Sequence, residues 1–94
     1  MGFEYYLHVS PWVPDQVEAV LRSLPWVERF DPKYKTFNFV MREGYVFPEW
    51  PDAQASIEST LLYFCDFGRS PSEVMKELVT RLESKVGKVW VEEL

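Results

Sequence analysis

Residues 55–67 read ASIESTLLYFCDF, and the way this stretch is divided decides the fold. Taken as one alternating strand, it sets Ile57, Ser59, Leu61, Tyr63 and Cys65 on one side and Glu58, Thr60, Leu62, Phe64 and Asp66 on the other. Residues 61–64 are then apolar on both sides, the pattern of a central strand covered twice.

Towards the N-terminus lies WVERFDPKYKTFNFVMR, which reads as one long strand or as two short ones, because Asp31 and Pro32 favour a turn or a bulge. In it Phe37, Phe39 and Met41 share one face, with Tyr34, Thr36, Asn38 and Val40 on the other. The next segment, REGYVFPEWPDAQ, is a loop punctuated by Gly44, Pro48 and Pro51. It carries Tyr45, Phe47 and Trp50, rings that a loop holds only when pinned to something.

The chain begins with a strand at residues 3–9, in which Phe3, Tyr5, Leu7 and Val9 oppose Glu4, Tyr6 and His8. SPWVPDQVEAVLRSLP then reads as an amphipathic helix with Val17, Val20, Leu21 and Leu24 inward, Asp15 and Glu18 as a capping box, and Pro25 as its stop. A second helix follows residue 67. Ser70 suits its N-cap, Pro71 its first turn and Glu73 the capping box, while Val74, Met75, Leu78, Val79, Leu82 and Val86 form the stripe and Gly87 the end. KVWVEEL supplies a last strand.

The order strand, helix, strand, strand, helix, strand predicts one α+β domain over residues 1–94. Its expected form is a two-layer sandwich with a ferredoxin-like βαββαβ arrangement, a mostly antiparallel sheet with both helices on one face. In that arrangement the first strand and ASIESTLLYFCDF are expected to run side by side and parallel, bringing His8 towards Cys65 and Asp66. Cys65 is expected to face the core, and His8 and Asp66 to share the open face.

The formal net charge of −5, from 15 acidic and 10 basic residues, sets the overall field against phosphate backbones and anionic lipid surfaces. Four positions of KTFNFVM, Lys35, Phe37, Phe39 and Val40, resemble the nucleotide-binding signature of RNA-recognition folds, whereas Thr36, Asn38 and Arg42 depart from it. Ordinary sheet packing explains the same alternation, so nucleic acid is not the favoured partner. A single cysteine and a single histidine leave no intrachain disulfide and no histidine- or cysteine-rich metal site. No catalytic residue, metal or cofactor is therefore expected. The N-terminus has no basic flank before an apolar run and the chain has no membrane-length apolar segment, so the expected setting is cytoplasmic.

Aromatic residues make up 17% of the chain, more than two amphipathic helices can shield on one side of a sheet. The uncovered face is expected to show Tyr6, His8, Val40, Leu62 and Phe64, or their neighbours of opposite parity. The function read from this is a non-catalytic binding module. Its open face mediates homodimerisation or holds a protein partner, a basic one given the charge, as bacterial immunity-type proteins do. Tyr6, His8, Tyr45, Phe47, Trp50 and Asp66 are the candidate contact residues, with Glu43, Glu49 and Asp52 as an acidic rim. An alternative is a face-to-face dimeric αβ barrel that binds or transforms a small apolar ligand, with Tyr6, His8 and Asp66 inside it; an RNA-binding domain ranks third.

Overall fold

The stretch ASIESTLLYFCDF is two strands. In the computed structural model, which describes residues 2–47, 49–68 and 73–94, the elements run β1 Phe3–Ser10, α1 Pro14–Ser23, β2 Val27–Asp31, β3 Thr36–Phe39, β4 Ala53–Ile57, β5 Leu62–Asp66, α2 Glu73–Lys85 and β6 Lys88–Glu93. The exposed run Glu58, Ser59 and Thr60 turns the chain, closed by the Glu58 N–H donating to the Leu61 carbonyl at 2.9 Å. Trp12 steadies this turn from just ahead of α1, its indole N–H reaching the Ser59 carbonyl at 3.0 Å. Because the turn pairs Ile57 with Leu62, the inward parity changes from odd to even across it. Ala53, Ala55, Ile57, Leu62 and Phe64 therefore all lie under the helices and are buried.

The six strands form one sheet in the order β2-β3-β4-β5-β1-β6, and every neighbouring pair is antiparallel. This corrects the βαββαβ expectation, since four successive strands, not two, separate the helices. What remains of the expected layout is an α+β pairing of one antiparallel sheet with two helices. β1 sits between β5 and β6, so the β5–α2–β6 unit straddles it.

One side of the sheet carries the core. Tyr5, Leu7 and Val9 from β1, Phe37 and Phe39 from β3, and the inward residues of β4 and β5 meet Val17, Val20, Leu21 and Leu24 of the first helical segment and Val74, Met75, Leu78 and Leu82 of α2. Phe37, Phe39 and Phe64 are fully buried. Arg22 lays its guanidinium over Phe30 at 4.5 Å and Phe37 at 5.4 Å, closing the β2 side of the core with a cation over ring faces. Arg81 joins the helices by donating to the Ser23 carbonyl at 2.7 Å.

One local signal resolves differently from the sequence expectation. The Asp15 and Glu18 capping box does not form: Val13 is the N-cap without a side-chain bond, Pro14 opens the helix, and Glu18 accepts from Arg22 at 3.1 Å instead. Ser70 and Pro71, read as the start of the second helix, lie outside the described residues. Gly87 does follow α2, and its N–H reaches the Leu82 carbonyl at 3.1 Å. The decisive demand on Gly87, however, is space, because a Cβ there would run into the backbone carbonyl of Ser10.

Gly87→Ala is accordingly expected to lower stability by about 1–3 kcal/mol, since a backbone carbonyl cannot swing aside as a side chain can. Phe37→Ala is expected to cost about 3–5 kcal/mol by leaving a cavity between sheet and helices. Chemical denaturation with unchanged slope checks both.

Candidate functional site

The face of the sheet away from the helices is paved with polar side chains. Along β3 and β4 every outward position is an amide or a hydroxyl. Gln54 Nε2 donates to Asn38 Oδ1 at 2.8 Å, and the Thr36 and Ser56 hydroxyls lie 2.8 Å apart. These pairs floor a groove of about 350 Å³ whose walls are Arg29, Asp31, Tyr34 and Phe47. Asp31 is held by the Lys33 backbone N–H at 2.9 Å, within the turn that joins β2 to β3. Lys35 closes that turn at φ 48°, a left-handed conformation that costs a β-carbon residue strain.

The long loop between β3 and β4 brings Phe47 to the groove. Its organising group is the Asp52 carboxylate, which accepts from the Met41 N–H at 2.6 Å, the Arg42 N–H at 3.3 Å and the Arg42 guanidinium at 2.8 Å. Arg42 also donates to the Trp50 carbonyl and lies 3.8 Å from Glu49. Tyr45 closes the loop on itself by donating to the Glu49 carbonyl at 3.0 Å. So fastened, the loop lays the Phe47 ring 3.6 Å from the Arg29 guanidinium and sets Trp50 against Phe67, their rings tilted by 42° with centroids 5.0 Å apart. Val46, Phe47 and Trp50 are all exposed. Two of the three acids read as an acidic rim, Glu49 and Asp52, are thus engaged by Arg42, and Phe47 of the loop lines the groove on the open face.

A second cluster occupies the β5, β1 and β6 part of the same face. His8 stacks on Trp90 with ring centroids 4.5 Å apart and lies with Nε2 2.8 Å from Glu92 Oε1, the geometry of an N–H donating to a carboxylate. Tyr6 meets His8 and Tyr63 edge to face. The Tyr63 hydroxyl donates to Glu4 Oε1 at 2.6 Å. Burial first, then this bond to Glu4, holds the Tyr63 proton well above the ordinary tyrosine range.

The structure brings Tyr6 and His8 together and sets Asp66 apart from them. Antiparallel pairing aligns Phe3 with Asp66 and Leu7 with Leu62, so His8 lies towards the other end of β1 from Cys65 and Asp66. The parity change in the β4–β5 turn also reverses the expected sides: Cys65 projects with Glu4 and Gln54, and Asp66 is buried among the inward residues. Among the described residues no Cys–His or His–Asp pair forms, and burial pushes the Cys65 thiol up, away from the thiolate a nucleophile needs. The apolar open face is likewise corrected, since Leu62 and Phe64 are fully buried beneath the helices. Phe37 and Phe39 are inaccessible too, which removes the rings that would stack bases. Among the described residues no acid, cysteine or histidine cluster could hold a metal ion, and no helix is long and apolar enough to cross a membrane.

Comparison with protein-family models, with curated proteins and with solved structures yields no match.

The groove residues Arg29, Asp31, Thr36, Asn38, Gln54 and Ser56 were not candidates from the sequence. The signal that marks four of them is polarity at every outward position of TFNF and AQASI, a pattern that becomes a site only once the two strands are paired.

Two outcomes test this geometry. Asp52→Ala removes the acceptor on which the loop converges and is expected to cost about 1–3 kcal/mol and to loosen Trp50 from Phe67, seen as faster amide exchange along the loop. In the unfolded chain Tyr63 ionises near pH 10, whereas the folded state keeps its proton, so the folded state binds more protons and stability falls as pH rises above about 10. Tyr63→Phe is expected to flatten part of that alkaline loss, measured as denaturation midpoints from about pH 8 to about pH 11.

Proposed function

We propose that this chain is a binding module that holds a protein partner on the open face of its sheet, with the groove over β2, β3 and β4 as the point of grip. The observation that carries this reading is the groove itself. Amide and hydroxyl pairs form its floor, Asp31 and Arg29 place one charge of each sign on its wall, and the rings of Phe47 and Tyr34, exposed at 51% and 63%, stand at its rim. Rings of this kind supply contact area at small entropic cost, and fixed polar groups beneath them select an occupant with matching donors and acceptors.

The net charge of −5 favours a basic partner, which it steers towards the surface over a distance set by salt. A lysine or arginine side chain from that partner finds Asp31 in the wall and ring faces at the rim. Catalysis is not part of the proposal, because the single histidine is stacked on Trp90 and bonded to Glu92. An apolar ligand would gain little from a floor of four hydrogen-bonding side chains.

The test is an amide-resonance titration with arginine-rich and with glutamate-rich peptides. The reading expects shifts confined to the groove for the basic peptide alone, and weakening of about tenfold or more in the double variant Asn38→Ala, Gln54→Ala, whose fold should persist. Equal response to both peptides, or shifts centred on the helices, would overturn it.

A further inference from the structure

The two edges of the sheet are built differently. β2 is interrupted between Val27 and Arg29 and carries Glu28, Arg29 and Asp31 within five residues, the devices that discourage another strand from joining an edge. β6 has neither bulge nor proline. It pairs with β1 in unbroken register over six residues, from Glu93 with Tyr5 to Lys88 with Ser10, and among the described residues no strand pairs with its other side. Val91, on the helix face, is 39% exposed, so α2 leaves this edge open, and Trp90 on the other face is 62% exposed.

The orientation of the free backbone groups follows from one hydrogen bond. The Leu94 N–H donates to the Glu4 carbonyl at 2.9 Å, so the even-numbered residues of this strand turn their N–H and C=O groups towards β1. Val89, Val91 and Glu93 therefore present theirs outward. Side chains divide by the same parity: Lys88, Trp90 and Glu92 share the open face with Ser10, His8 and Tyr6, and Val89 and Val91 share the helix face with Val9 and Leu7.

We infer that β6 is a self-pairing edge, which joins β6 of a second copy of this chain antiparallel about a two-fold axis normal to the sheet. An axis of that kind keeps equivalent faces on one side, so open-face residues meet open-face residues. The register that does this centrally sets Trp90 opposite Trp90 of the second copy, Lys88 opposite Glu92 of the second copy, and Val89 opposite Val91 of the second copy. Each Val89–Val91 pair falls where the backbone groups point outward and exchanges two hydrogen bonds. The tryptophans occupy the intervening non-hydrogen-bonded position, where facing side chains approach most closely. Two symmetry-related ion pairs flank them. The row His8, Trp90, Trp90 and His8 then continues ring packing across the junction, since His8 already stacks on Trp90 within one copy. The charges that would guard a solitary edge are thus spaced to complement a second copy. This surface is separate from the groove, and its test leaves the groove residues untouched.

Sedimentation equilibrium across the micromolar to millimolar range is expected to show a reversible dimer. Val91→Pro removes an outward N–H and no bond to β1, so it should abolish the dimer while the monomer stays folded. Lys88→Glu and Glu92→Lys should each weaken association about tenfold by setting like charges opposite each other twice, and combining them should restore it. Trp90→Cys should form a disulfide-linked dimer on mild oxidation, because facing α-carbons at a non-hydrogen-bonded position lie about 4.5 Å apart. A wild-type chain that stays monomeric at millimolar concentration would overturn the inference, as would a dimer indifferent to Val91→Pro and to the charge reversals.

Discussion

Side chains alternate across a strand, so a sheet shielded on one side only must bring its apolar residues to one parity, and the turn at residues 58–61 is where this chain resets that parity. Ahead of the turn the inward residues are Ala53, Ala55 and Ile57; beyond it they are Leu62 and Phe64. Had the alternation continued unbroken from Ile57, Leu62 and Phe64 would have faced water and Tyr63 and Cys65 the helices. One four-residue reversal thus separates a sheet with a single dry side from one greasy on both. The small side chains Ala53 and Ala55 and the large Phe37, Phe39 and Phe64 then fill the space beneath α1 and α2 in complementary sizes.

The same parity leaves the opposite side polar but not plain. Its β3–β4 half is saturated with side-chain pairs, Asn38 with Gln54 and Thr36 with Ser56, that satisfy one another while keeping spare donors and acceptors. Its β1–β6 half is a ring cluster tied to carboxylates, Tyr63 to Glu4 and His8 to Glu92. Glu4 fixes the orientation of a phenol and so holds one end of this cluster rigid. Rigid polar groups beside rigid rings lower the entropy lost when a partner docks, which makes such a face economical for recognition.

Much of this was readable from residue spacing alone. The 3.6-residue stripes located both helices, period two located β1, and Asp31 with Pro32 allowed the break between β2 and β3. The division of ASIESTLLYFCDF was not readable, because Glu-Ser-Thr contains no glycine, proline or asparagine to announce a turn and the alternation runs straight through it. From that omission follow the wrong sides assigned to Cys65 and Asp66 and the misplaced nearness of His8 to both. The groove was hidden for a different reason. Asn38 and Gln54 are 16 residues apart and Thr36 and Ser56 20 apart, so their union depends on pairing register, which local pattern does not encode.

The place of β1 in the sheet carries a consequence for how the chain acquires its shape. Tyr5 pairs with Phe64 on one side and with Glu93 on the other, so the first strand finds both neighbours among the last strands to be synthesised. Closing loops of that length is slow compared with zipping the β2-to-β5 meander, whose partners follow one another directly. A nascent chain leaving the ribosome therefore carries Leu7 and Val9 unshielded until its C-terminal third emerges. During that interval the inward side of the first strand lacks both of the strands that flank it in the finished sheet.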